Sequence, residues 1–210
     1  MTGTELVERH LLARRILVIC PALALAVLET LHPNPTGAKD AIQSDWFFWF
    51  HMIQLPLVAL VAVSVFLLTS GLQNRMASIS RWAAAAFAAF FSAYDAAAGI
   101  ATGFAWRQAQ DMSASDQAAV FEATKDMPGL SLIFVISIIG TGAWVVAVVA
   151  AAIAVRRNGA PRGPYILLIL AGIFLMGGHP FPAGTVAFAC FVAAAVWLER
   201  AAAPRATAPA

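Results

Sequence analysis

The sequence predicts an all-α, polytopic integral membrane bundle of six transmembrane helices. Three observations predict it. Of the 210 residues, 61% are hydrophobic and only 11% charged, where soluble domains carry roughly 25% charged residues. Mean hydropathy is +0.79. The apolar residues gather into six runs, and every charged residue except Glu29 and Asp95 lies outside them. The net charge of +2 is too small to point to nucleic acid. Membrane lipid and a small lipophilic substrate are the expected partners. Cys20 and Cys190 lie inside apolar runs without CxxC or zinc-ribbon spacing, so they read as buried thiols.

Taken in order, residues 1–15 are polar and basic, and the first span covers about 16–32, with a kink expected at Pro21. Arg14 and Arg15 ahead of an apolar run resemble the start of a signal peptide, but the run continues to Glu29 and His32, so a retained first helix is expected. Residues 33–45 form a breaker-rich loop. The second span, about 46–70, opens on the aromatic cluster Trp46–Phe50. Gly71 to Arg81 reads as a polar turn, and the third span, about 82–106, carries Tyr94, Asp95 and a Gly99-x-x-x-Gly103 pair that favours close helix approach.

Residues 107–128 make the one long loop. Within it Ser113-x-x-Asp116 predicts a short capped surface helix, and the loop is expected to cover a pocket mouth. The fourth span, about 129–155, is uncharged scaffold. Two short runs, about 164–178 and 181–198, flank the turn Gly-Gly-His-Pro-Phe-Pro. Residues 1–200 form one transmembrane domain, and 201–210 are expected to be a disordered tail. An even number of spans puts both termini on one side. Ten of the 13 basic residues fall there and three, Lys39, Arg107 and Lys125, on the other, so a cell-membrane location with cytoplasmic termini is expected.

Helix rise then sets the depth of each polar residue. At about 1.5 Å per residue through a core roughly 30 Å thick, Glu29, Asp95 and His179 lie about 20–22 Å above the inner boundary. Gln54 and His51 lie at about 24 and 28 Å. Five polar groups from four spans therefore share one outer-leaflet layer. An ionisable residue in hydrocarbon is costly and marks a functional site by default.

The chemistry follows from the residue types. Glu29 and Asp95 are the candidate catalytic acids or bases. His32, His51 and His179 with Glu29 could bind one divalent metal, zinc first, with an open position for water. Glu29 and His32 share a helix face at i,i+3, but the Glu-x-x-His spacing occurs once, which argues against a di-iron centre. Trp49, Gln54 and Tyr94 are candidate substrate contacts. His-x-x-x-His and Gly-x-Ser-x-Gly signatures are missing. Three functions fit: a metal-dependent membrane enzyme on a lipophilic substrate, a proton- or cation-coupled transporter, and a metal-free acid-catalysed enzyme of the cyclase type using buried carboxylates.

Overall fold

The computed structural model describes residues 3–43 and 45–202. Among these, helices are the only regular elements: α1 Gly3–Glu29, α2 Ala38–Ile42, α3 Trp46–Leu68, α4 Arg75–Tyr94, a π-helical turn Asp95–Ile100, α5 Ala101–Gln108, α6 Ala114–Thr124, a 3-10 turn Met127–Gly129, α7 Ser131–Arg157, α8 Arg162–Leu175 and α9 Ala183–Ala202. Five stretches are long and apolar enough to cross a membrane: Glu8–Glu29, Trp46–Leu68, Arg75–Gln108, Ser131–Arg157 and Ala183–Ala201. The fifth predicted span corresponds to α8, 14 residues long, or about 21 Å, and so shorter than the hydrocarbon core.

The long helices close into a ring in which α1 packs on α3, α3 on α4, α4 on α7, α7 on α8, α8 on α9, and α9 back on α1. The centre is apolar. Phe91 of α4 meets Phe87, which meets Trp144 of α7, which in turn meets Phe188 and Phe191 of α9. Trp144 is fully buried and donates its indole N–H to the Ala171 carbonyl at 3.0 Å, satisfying a polar group that would otherwise be stranded in the core. Gly140 makes the α4–α7 approach possible, because a Cβ there would meet the Phe91 backbone nitrogen at 2.9 Å.

Several boundaries differ from the expectations. α1 begins at Gly3 rather than near residue 16, and it runs through Pro21. The 33–45 loop contains the short helix α2. The predicted polar turn 71–81 is mostly helical. Residues 71–74 break the chain, Gly71 at φ +80°, and Asn74 caps α4 by accepting from the Ala77 N–H at 3.0 Å. Arg81 belongs inside this helix because its guanidinium finds the Thr69 carbonyl at 3.1 Å and lies over the Phe66 ring. The predicted capped helix is α6, with Ser113 accepting from Asp116 N–H at 3.3 Å. Cys20 faces outward instead of being buried. The tail expected from 201 falls outside the described residues from 203 onward, while 201–202 still belong to α9.

At the end of the bundle that holds the first residues of α1, Arg14 pairs with Glu199 of α9 and also reaches the Leu67 carbonyl. This pair lies fifteen residues below Glu29, or about 22 Å along α1, and the buried positions between, Val18, Ala22 and Leu25, are apolar.

Candidate functional site

Glu29 is the last residue of α1 and has no exposed surface. Its Oε1 accepts from Gln54 Nε2 of α3 at 2.6 Å. Its Oε2 lies 3.3 Å from Nδ1 of His179, in the turn between α8 and α9, and Gln54 Nε2 lies equally far from the same nitrogen. Glu29 and Gln54 thus hold one edge of the His179 ring. Gln54 Nε2 is spent on Glu29, and its Oε1 is buried without a partner. The turn carrying His179 is set by Gly178 (φ +100°) and by Gly184 of α9, where any Cβ would collide with the His179 carbonyl oxygen.

His51, 4% exposed on α3, is oriented from behind. Its Nδ1–H donates to the Phe47 carbonyl at 2.7 Å, which assigns the proton on that side and leaves Nε2 as the free edge. Nε2 lies 3.9 Å from Asp95 Oδ1, beyond hydrogen-bond reach. Asp95 is 1% exposed, and neither of its carboxylate oxygens has a hydrogen-bond partner. It opens the π-helical turn, and turns of this kind recur at functional sites. Gly99, inside that turn, faces the His51 ring so closely that a Cβ would lie 2.1 Å from Cδ2. The Gly99-x-x-x-Gly103 pair therefore does more than tighten the bundle: it seats a candidate site residue.

His32 follows α1 by one 3-10-like turn, its N–H reaching the Glu29 carbonyl at 3.3 Å. It sits between the other imidazoles, with ring centroids 4.8 Å from His179 and 5.7 Å from His51. Tyr94 lies 6.3 Å from the His179 ring. Glu29, His32, His51, Gln54, Tyr94, Asp95 and His179 are thus brought into one cluster. Trp49 is not: it is 48% exposed and stacks with Arg107 on the outside of the bundle.

A cavity of about 350 Å³ opens beside the cluster. His32, His51, Tyr94, Asp95 and His179 line it, while Glu29 and Gln54 stand behind its wall. Thr102, two helical turns after Asp95, also lines it with an unpartnered hydroxyl, as do Phe47 and Trp106. Sequence reasoning missed Thr102, though its spacing of seven from Asp95 was a usable signal. The 107–128 segment supplies the remaining wall through Phe121, Thr124, Lys125 and Pro128. Trp106 anchors it by donating to Thr124 Oγ1 at 2.7 Å, and α6 packs on α2 and α5. Lys125 is paired with Glu122 at 2.6 Å, and that hydrogen bond raises the ammonium's pKa above the ordinary lysine value.

Thr124→Val removes the acceptor of a buried indole N–H, at a cost of about 1–3 kcal/mol. Amide exchange across 114–124 should accelerate while α3 and α4 stay protected, and equal acceleration in all three would contradict the anchoring role.

Among the described residues no group of three or more His, Cys, Asp or Glu side chains is gathered where it could hold one metal ion. His51 and His179 each turn a nitrogen away, toward Phe47 and toward Gln54 and Glu29. The expected ligands His32, His51, His179 and Glu29 are thus neighbours, but they are not gathered as one such group among the described residues. Compared with known proteins, the chain matches no family, no curated protein and no solved structure.

Proposed function

We propose that this chain is an integral membrane enzyme that moves protons to and from a lipophilic substrate held against Asp95 and His51. One observation carries the reading: an orphaned carboxylate and a bare imidazole edge, 3.9 Å apart, face one cavity inside an apolar bundle. Such a pair is costly unless a substrate uses it. His51 has its tautomer assigned by the Phe47 carbonyl and acts as the base. Asp95 meets the substrate as a carboxylate, takes up its proton and delivers it in a later step. His179, held by Glu29 and Gln54, orients the substrate from the opposite wall. General acid–base catalysis of this kind contributes about 10²–10⁴-fold in rate. A metal is left out of the proposal because, among the described residues, no group of three or more His, Cys, Asp or Glu side chains is gathered to hold one.

Transport is the second reading. It would need a polar path to the Arg14–Glu199 end, and the buried positions of α1 between the two ends, Val18, Ala22 and Leu25, are apolar. This favours an enzyme over a conduit.

In this proposal the bundle lies in the cell membrane with α8 as a sixth, short span, the termini cytoplasmic and the cavity toward the outer leaflet. The ten-to-three division of basic residues supports that orientation. Reporter fusions after Lys39 and within 107–128 should read extracytoplasmic, and those after Arg75 and Arg157 cytoplasmic; the inverse pattern would place the cavity at the inner leaflet.

The functional test uses the purified chain in vesicles made from a total membrane lipid extract. A lipid species consumed with a matching product, unchanged by EDTA, supports the enzyme. Proton flux across the vesicle wall without any converted species would establish transport instead.

A further inference from the structure

We infer that the cavity recognises a lipophilic primary ammonium, a protonated amine on a hydrocarbon tail. The inference rests on the cavity being the substrate site and names the chemical class it takes. The unpartnered groups along its wall are mostly acceptors. Asp95 offers two carboxylate oxygens without partners, His51 a bare Nε2, Thr102 an unpaired hydroxyl, and His32 two unpaired nitrogens, of which a neutral ring offers one as acceptor and one as donor. Asp95 and His51 are more than nine-tenths buried and Thr102 is 3% exposed, so water does not complete them. Acceptors gathered in this way call for a donor, and a charged one suits a lone carboxylate best.

The second buried carboxylate, Glu29, is already served by Gln54 and stands outside the cavity. One positive charge therefore completes the site. The remaining wall suits a cation as well. Phe47, Trp106 and Phe121 line the cavity together, with ring centroids 4.5 Å apart for Phe47 and Trp106 and 5.8 Å for Trp106 and Phe121, so the wall there is aromatic. Lys125 at the lid is the cation in the lining, and its pairing with Glu122 offsets its repulsion. An ammonium with N–H donors can reach both Asp95 and His51 Nε2, whereas an alcohol leaves the carboxylate charge unbalanced and a carboxylate adds a second like charge.

The experiment compares binding of dodecylamine, dodecanol and dodecanoate to the full chain in phosphatidylglycerol nanodiscs. Trp106 lies in the wall, so its fluorescence serves as the readout, in a background where Trp46, Trp49, Trp82, Trp144 and Trp197 are replaced by Phe. The ratio of wild-type to Asp95→Asn affinity cancels partitioning of each probe into the bilayer. For dodecylamine that ratio should be about 10–100, the range of a charge-assisted hydrogen bond, and for dodecanol near one. Phe121→Ala, outside the spanning helices, should weaken the amine more than the alcohol and serves where Asp95→Asn does not fold.

Equal affinities of wild type and Asp95→Asn for dodecylamine would overturn the ammonium assignment, as would an unchanged amine preference in Phe121→Ala. If dodecanol or dodecanoate still bound at Trp106, the cavity would stand as a lipophilic site for another class. If none of the three bound there, the reading of the cavity as a substrate site would fall with it.

Discussion

Asp95→Asn is expected to lower turnover of the lipid substrate by about 10²–10⁴-fold, the contribution of a positioned proton donor, while the protein stays folded. The carboxylate lies 1% exposed without a hydrogen-bond partner, so its replacement by a neutral amide removes no native bond. Stability should be equal or higher, in keeping with functional groups held at a cost to the fold. His51→Gln should reduce turnover comparably, since it removes the base while keeping a polar side chain. Measured together, thermal unfolding and single-turnover rates separate the two effects. A variant that loses several kcal/mol of stability yet keeps full activity per folded molecule would make Asp95 a structural residue.

Gly99→Ala should be strongly damaging to the site. Its Cβ would lie 2.1 and 2.3 Å from two carbons of the His51 ring, and the ring cannot simply rotate away without giving up the Phe47 carbonyl. Overpacking of this kind costs about 1–3 kcal/mol. A displacement of about 1 Å in a catalytic group can cost about 10²-fold in rate. Gly142→Ala on α7 is the matched control, because nothing lies within 4 Å of its new Cβ; it should be neutral or stabilising by up to about 1 kcal/mol. If Gly99→Ala behaved like the control in both stability and rate, the seating of His51 would not matter.

The contrast between these two glycines shows what the sequence made legible. Depth was readable because helix rise is nearly constant: Glu29, Gln54, Asp95 and His179 were counted into one layer from four separate runs, and their side chains share one cluster. Facing was harder. Trp49 was grouped with its aromatic neighbours by composition, yet it lies two residues before His51, about 200° round the helix, and so points away from the cavity. The π-helical turn at Asp95–Ile100 has no signature in Asp-Ala-Ala-Ala-Gly-Ile, although it sets where Asp95 and Gly99 face.

Charge was legible as a side preference but not as a partner. Glu199 and Arg14 stand 185 residues apart in the chain, and Arg14 was counted only among the basic residues of the terminal side, whereas the fold pairs it with Glu199. The histidines show the opposite limit. Three imidazoles and a carboxylate suggested zinc by residue type, but a metal set depends on where each nitrogen points. His51 and His179 each commit Nδ1 to the protein, as metal-bound imidazoles also do, so the direction of each Nε2 decides, and that cannot be read from spacing.

The central claim is that Asp95 and His51 form a working pair, facing a cavity and completed by a bound molecule. An experimental structure of the chain in a bilayer disc, solved with dodecylamine at side-chain resolution, tests it most directly. Non-protein density should lie within about 3.2 Å of both the Asp95 carboxylate and His51 Nε2, with α6 closed over it. Asp95 turned to a protein donor such as Thr102, or His51 bonded directly to it with the space between them collapsed, would contradict the account.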